Sequence, residues 1–150
     1  MVLWKLLHTF GFIAWFVGLL ATTGLQVVAR KAGDATARQT AWASLRRFVP
    51  YEIVGMVLTP ISGLFLARTA YGAFIPPKVI FVHIKLLLVF LAVIGNILLF
   101  RLRARAAPLA AEGGPAYDKA MRGLAALQGI TTLMLPLAVI VVIVLRYRVG

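Results

Sequence analysis

Residues 79–100 read VIFVHIKLLLVFLAVIGNILLF, a run of large apolar side chains interrupted by His83, Lys85 and Asn96. A helix needs about 20 predominantly apolar residues to cross the hydrocarbon core of a bilayer. The strands of a transmembrane barrel would instead alternate apolar and polar residues, and this run does not alternate. The stretch therefore predicts a membrane-spanning helix.

Three other stretches, residues 3–28, 51–70 and 124–145, have the same continuous apolar character. Together the four predict an all-α integral membrane four-helix bundle that forms a single transmembrane domain over residues 1–150. The composition agrees, because 62% of the residues are hydrophobic, against about 45–50% in soluble domains. The first stretch is too long for a signal peptide and no cleavage site closes it, so we expect a retained helix.

The basic residues between the spans indicate an orientation. The chain has 16 Lys and Arg against 4 Asp and Glu, a formal net charge of +12. Most of these cations lie in the first and third connections, at Arg30, Lys31, Arg38, Arg46, Arg47, Arg101, Arg103, Arg105, Lys119 and Arg122. The other side has only Lys5, Arg68, Lys78, Arg146 and Arg148. The positive-inside rule then places both termini on the non-cytoplasmic side.

This pattern predicts a multi-pass protein of the bacterial inner membrane, with the lipid bilayer as its main partner. The cations do not form a stripe interleaved with aromatic residues, so nucleic-acid binding is not expected. Lipid-facing and partner-facing surfaces have similar compositions in membrane proteins. Association with a second copy or with a larger membrane complex therefore stays open.

The two histidines are the first candidate site. His8 and His83 each lie about five residues into a span that descends from the non-cytoplasmic side, so at about 1.5 Å per residue their depths are similar. An imidazole in hydrocarbon needs a partner. Histidine is also the usual nitrogen ligand of metals and haem. The sequence predicts that the two rings meet and bind one metal ion or one haem.

A stripe of small and aromatic residues shares the helical face of His8. Gly11, Trp15 and Gly18 follow it at steps of three and four residues. Small residues in such a stripe let either a second helix or a porphyrin plane approach closely. Both interpretations stay open at this point, and the second makes Gly11, Trp15 and Gly18 cofactor-binding residues.

Lys85 is the only cation that the predicted spans place well inside hydrocarbon. Because it is two residues from His83, it points roughly 200° away around the helix. Cations inside membranes are usually functional, and the alternative is a side chain that extends to the surface. In either case its ammonium group would suit the carboxylates of a porphyrin.

Other polar residues have weaker indications. Glu52 is expected at the membrane interface, at the N-terminus of the second span, where a carboxylate suits the helix dipole. Hydrogen bonds between helices, or helix kinks, are expected at the polar residues within the spans, namely Thr22, Thr23, Gln26, Thr59, Ser62, Asn96, Gln128, Thr131 and Thr132. The absence of cysteine excludes thiolate metal sites and a cysteine nucleophile. No nucleophile–base–acid set for hydrolysis is visible.

Three stretches, two in the first predicted helix and one in the third, resemble the HemJ-type protoporphyrinogen oxidases, which are four-helix membrane proteins of similar length. Residues 4–8 (WKLLH) and 14–19 (AWFVGL) are similar to the first helix of that family, and residues 82–89 (VHIKLLLV) to its His-x-Lys motif. The resemblance implies oxidation of protoporphyrinogen IX to protoporphyrin IX with a bound haem b. It makes His8 and His83 candidate haem ligands, and Lys85 a catalytic residue that meets the carboxylates of a porphyrin substrate.

Three functions are therefore compatible with the sequence. The first is a haem b protein that performs redox chemistry or electron transfer at a two-histidine site. The second is a non-catalytic accessory or structural subunit of a larger respiratory or photosynthetic membrane complex. The third is copper handling, because the His, Trp-x-x-Gly and Lys-Leu segments are also somewhat similar to the membrane part of CopD-type copper proteins.

Overall fold

The chain folds into four long helices. The computed structural model describes residues 1–76 and 79–149, with side chains up to residue 144. The helices are α1 (Val2–Lys31), α2 (Ala35–Tyr71), α3 (Ile80–Leu109) and α4 (Gly114–Val149). All four are long and apolar enough to cross a membrane, and the described residues form no strand. The all-α four-helix fold is confirmed.

The helices extend beyond the apolar stretches that predicted them. Helix α2 begins at Ala35 rather than near residue 51, and α4 begins at Gly114 rather than near residue 124. Hydropathy marks only the apolar part of a helix, whereas capping and turn residues decide its ends. The Asp34 carboxylate caps α2 by accepting a hydrogen bond from the Ala37 amide at 2.8 Å. The first and third connections therefore shrink to tight turns at residues 32–34 and 110–113.

Some of the basic residues that indicate the orientation lie outside this description. Lys78 is not among the described residues. The same holds for the side chains of Arg146 and Arg148.

The bundle is built from two helical hairpins. Helix α1 packs most closely against α2, and α3 against α4, whereas α1–α4 and especially α2–α3 touch much less. We call the end with the two tight turns the turn end. The opposite end, where the chain begins and α2 connects to α3, is the termini end. The backbones of the two hairpins therefore approach each other less closely than the backbones within each hairpin, and one apolar core cluster joins all four helices.

Helices α1 and α2 approach closely through glycines. A Cβ atom on Gly11 would lie 2.9 Å from Thr59 Oγ1, and one on Gly18 would lie 2.8 Å from Glu52 Cγ. Trp15, which is fully buried, packs against Gly55. Of the two interpretations of the stripe on α1, the structure therefore supports helix packing. The space beside Gly11, Trp15 and Gly18 is filled by α2 and does not admit a porphyrin plane.

Hydrogen bonds also join the hairpins at the turn end. The Tyr117 hydroxyl accepts a hydrogen bond from Trp42 Nε1 at 3.3 Å and donates one to the Ala29 carbonyl at 3.2 Å. Arg38 Nε donates to the carbonyl of Ala110, the first residue of the second turn, at 2.9 Å. These contacts fix the two turns relative to each other.

The close approach of α1 and α2 makes Gly55 intolerant of a side chain. Its Cβ would overlap the backbone and Cβ of Trp15. We expect Gly55→Ala to lower the free energy of unfolding by about 1–3 kcal/mol because the helices must separate. Thermal unfolding in detergent measures this. Gly24→Ala is the matched control, since nothing lies within 4 Å of a Cβ there. Equal melting temperatures for the two variants would contradict the packing.

Candidate functional site

A buried ion pair lies towards the turn end of the bundle. Arg103 Nη1 donates to Glu52 Oε2 at 2.8 Å, and the two side chains are only 5% and 0% exposed. Burying either charge without an oppositely charged partner would cost roughly several kcal/mol. The pairing is therefore what permits both charges to lie inside an apolar bundle.

Further polar side chains complete a network around this pair. Thr22 bonds to Glu52 Oε1 and accepts a hydrogen bond from Arg103 Nη2 at 2.9 Å. Gln128 Oε1 accepts from Arg103 Nη2 at 2.7 Å and from Gln26 Nε2 at 3.1 Å. Each of the four helices thus contributes at least one member.

Asn96 connects the network to the core of the bundle. In the amide orientation that satisfies its neighbours, the Asn96 nitrogen donates to Glu52 Oε2 at 3.2 Å. Its oxygen then accepts from Trp15 Nε1 at 3.3 Å. The expectation of hydrogen bonds between helices is confirmed for Thr22, Gln26, Asn96 and Gln128. Thr23 and Thr131 instead donate to carbonyl oxygens of their own helices.

Two expectations from the sequence were wrong here. Glu52 is not at a helix N-terminus near the interface, because α2 begins well before it, at Ala35. None of the ten cations assigned to the first and third connections lies in a connection, because these span only residues 32–34 and 110–113. Arg103 is one of the ten, and in α3 it is buried and paired with Glu52. Lys85 is therefore not the only cation within an apolar span. The sequence did contain a signal for this pair. The second helix has one acid, the third has an arginine, and the first and fourth have glutamines and threonines that can bond to both.

Removing one charge of the pair should lower the stability much more than removing both. Glu52→Ala leaves the Arg103 guanidinium buried without its partner, and we expect it to cost about 3–5 kcal/mol of stability. The double variant Glu52→Leu, Arg103→Leu removes both charges and should recover most of that loss. Thermal unfolding in detergent measures both, with exposed Arg101→Ala as the control. A double variant no more stable than Glu52→Ala would contradict the assignment.

A cavity of about 340 Å³ lies at the termini end, mainly between α2 and α3. Its walls are largely apolar, and the residues on them include His8, Thr59 and Lys85. The remaining lining residues are Met1, Lys5, Pro60, Gly63, Leu66, Ala67, Ala70, Tyr71, Phe81, Val82, Leu86, Val89 and Val142. Lys5 and Lys85 are among the described residues that line it, and none of these residues is an acid, so the charge of its surface is positive.

His8 and Lys85 meet on the wall of this cavity. Lys85 Nζ lies 3.1 Å from His8 Nε2, and His8 Nδ1 lies 2.9 Å from the Thr59 carbonyl oxygen and 3.3 Å from Ser62 Oγ. A carbonyl oxygen can only accept, so Nδ1 carries the hydrogen. The lone pair of Nε2 therefore accepts from the Lys85 ammonium group, and the imidazole is neutral in this arrangement.

Thr59 also contributes to the cavity wall. Its side chain is 2% exposed, and its Oγ1 atom has no hydrogen-bond partner among the described residues. That atom faces α1, since a Cβ on Gly11 would lie 2.9 Å from it. The polar contact that defines the candidate site is therefore the one between Lys85 Nζ and His8 Nε2.

The structure does not bring His83 to His8. The His83 side chain is exposed, its Nδ1 atom donates to the Val79 carbonyl at 3.1 Å, and it does not line the cavity. The reason is the two-residue step between His83 and Lys85, which places them on different faces of α3. Lys85 occupies the position beside His8 that the sequence analysis gave to the second histidine. The described residues also contain no group of three or more His, Cys, Asp or Glu side chains that could hold a metal ion.

Comparison with models of known protein families, with curated proteins and with solved structures found no match. The arguments about function therefore depend on the geometry of the chain itself and on the segmental resemblance described above.

Proposed function

We propose that this protein binds a carboxylate-bearing tetrapyrrole within the membrane, in the cavity beside His8 and Lys85. The observation that carries the proposal is the 3.1 Å contact between His8 Nε2 and Lys85 Nζ on the wall of an otherwise apolar cavity. A tetrapyrrole has a wide apolar ring and carboxylates at one edge. The apolar walls suit the ring, and the Lys85 ammonium suits a carboxylate.

His8 also has the chemistry of a residue that would bind the iron of haem b. Ligating histidines usually donate their second ring nitrogen to a carbonyl or carboxylate, and His8 Nδ1 already donates to the Thr59 carbonyl. His8 Nε2 would hold the iron, with Lys85 displaced towards a haem carboxylate. His83 does not fit as the second ligand, because its ring is exposed and bonded within α3. Bound haem would supply one-electron redox chemistry.

The surroundings of the site extend this proposal. The balance of basic residues favours a bacterial inner-membrane protein with the termini end on the non-cytoplasmic side. The resemblance of the His8 and Lys85 segments to HemJ-type oxidases favours porphyrinogen oxidation as the activity. In that case Lys85 positions the carboxylates of the substrate.

Ligand loading tests the proposal directly. The full chain is purified in mild detergent and titrated with haem b or protoporphyrin IX while visible absorption is recorded. We expect a Soret band for haem that is lost in His8→Ala and weakened at least tenfold in affinity in Lys85→Ala, a change that corresponds to the loss of about one charge-assisted hydrogen bond.

His83→Ala is the matched control, because it removes an imidazole of similar depth that does not face the cavity. It should bind both tetrapyrroles like the unaltered protein. Loss of the Soret band in His83→Ala but not in His8→Ala would overturn this site in favour of another arrangement. A chain that retains its helical circular dichroism but binds neither tetrapyrrole would overturn the proposal altogether.

The enzymatic form of the proposal makes a separate prediction. Protoporphyrinogen IX and an excess of a quinone as electron acceptor are added to the detergent-solubilised protein with its haem loaded, because the oxidation releases more electrons than one haem iron can accept. The fluorescence of protoporphyrin is followed. Lys85→Met should raise KM for the porphyrinogen by about tenfold or more, because it removes the charge that faces a carboxylate, while His83→Ala should leave KM unchanged. An unaltered KM in Lys85→Met would contradict the role assigned to Lys85.

A further inference from the structure

A second cavity lies at the turn end, between α1 and α4. Its volume is about 230 Å³. Helix α1 contributes Thr23, Gln26, Val27 and Arg30 to its lining, and α4 contributes Met121, Ala125, Gln128 and Gly129. The cavity is separate from the His8–Lys85 site, since the two share no lining residue.

Small residues on α4 keep this space open. Ala125 and Gly129 follow each other by one helical turn, and a Cβ on Gly129 would meet nothing within 4 Å. Both residues are exposed, as is Val27 on the facing helix. The cavity is therefore the inner part of an apolar groove that faces outward from the bundle.

Cations lie at one end of the groove. Arg30 lines it. Arg122 precedes Ala125 by three residues and Gly129 by seven, so it shares their face of α4 and lies about one turn nearer the turn end than Ala125. Among the residues with described side chains, the only ion pair joins Arg103 to Glu52. The guanidinium groups of Arg30 and Arg122 thus have no carboxylate partner there.

Amide groups follow at greater depth. Gln26 and Gln128 are 4% and 1% exposed, and both contribute to the cavity wall. From the turn end inward, the groove therefore presents guanidinium groups and then an apolar surface of small residues, with the buried amides beside that surface. A glycerophospholipid presents a phosphate and then an acyl chain in the same order.

We propose that this groove is a binding site for an anionic phospholipid. Guanidinium groups form strong paired hydrogen bonds with phosphate oxygens. Basic pockets between transmembrane helices are a known setting for anionic lipid headgroups. Arg30 and Arg122 hold the headgroup, and one acyl chain lies along Val27, Ala125 and Gly129. This proposal does not depend on what occupies the cavity at the termini end.

Lipid retention measured by native mass spectrometry tests this site. The full chain in detergent is mixed with phosphatidylglycerol or with phosphatidylcholine of the same acyl chains. We expect phosphatidylglycerol to be retained preferentially, and the preference to fall about fivefold for each arginine removed in Arg30→Gln and Arg122→Gln. Gly129→Leu fills the groove and should reduce the retention of both lipids.

Matched controls separate a built site from general charge attraction. Arg101→Gln with Arg105→Gln removes two exposed cations from α3, and Gly24→Leu adds the same side chain as Gly129→Leu at another open position. Both should retain phosphatidylglycerol like the unaltered chain. An equal loss in the Arg101, Arg105 variant would overturn the site. So would full competition by soluble glycerol phosphate, which would indicate a phosphate site without an acyl groove.

Discussion

The ion pair between Glu52 and Arg103 is the constraint around which the bundle is arranged. Charges of opposite sign on α2 and α3 lie almost fully out of contact with solvent, in surroundings where an isolated charge is very unfavourable. They are tolerated only because α1 and α4 bring Thr22 and Gln128 to the same point. Apolar packing would permit these helices many relative rotations and shifts, whereas this set of hydrogen bonds permits few.

The polar groups of the bundle are divided between its two ends. Lys85 and Arg103 are on the same helix, separated by eighteen residues or about 27 Å, and each meets a partner from the other hairpin. At the turn end, Glu52 and Arg103 pair with each other inside a network of side-chain hydrogen bonds, which is the pattern of a structural element, although Arg103 Nε has no partner among the described residues. At the termini end, His8 and Lys85 line a cavity whose described lining residues include no acid, which is the pattern of a binding site.

Hydropathy alone was enough to predict four helices and their approximate centres, because bilayer thickness sets a minimum apolar length. It could not give the ends of α2 and α4, which depend on the Asp34 cap and on turn residues, and so it misplaced Glu52 and Arg103. It put His8 and His83 at one depth, but depth does not determine the rotation of a helix about its axis. That rotation brought Lys85, and not His83, to the cavity. Lys85 itself was identified from its rarity as a cation in a long apolar run.

The division of the chain into two hairpins bears on how the protein matures. The α1–α2 hairpin contains Glu52 and the α3–α4 hairpin contains Arg103. During synthesis the first pair of helices emerges with an acid that has no counter-charge until the second pair arrives. The first hairpin alone keeps the bond between Glu52 and Thr22 but lacks the counter-charge that Arg103 supplies, so burial of this carboxylate stays costly until the second hairpin docks.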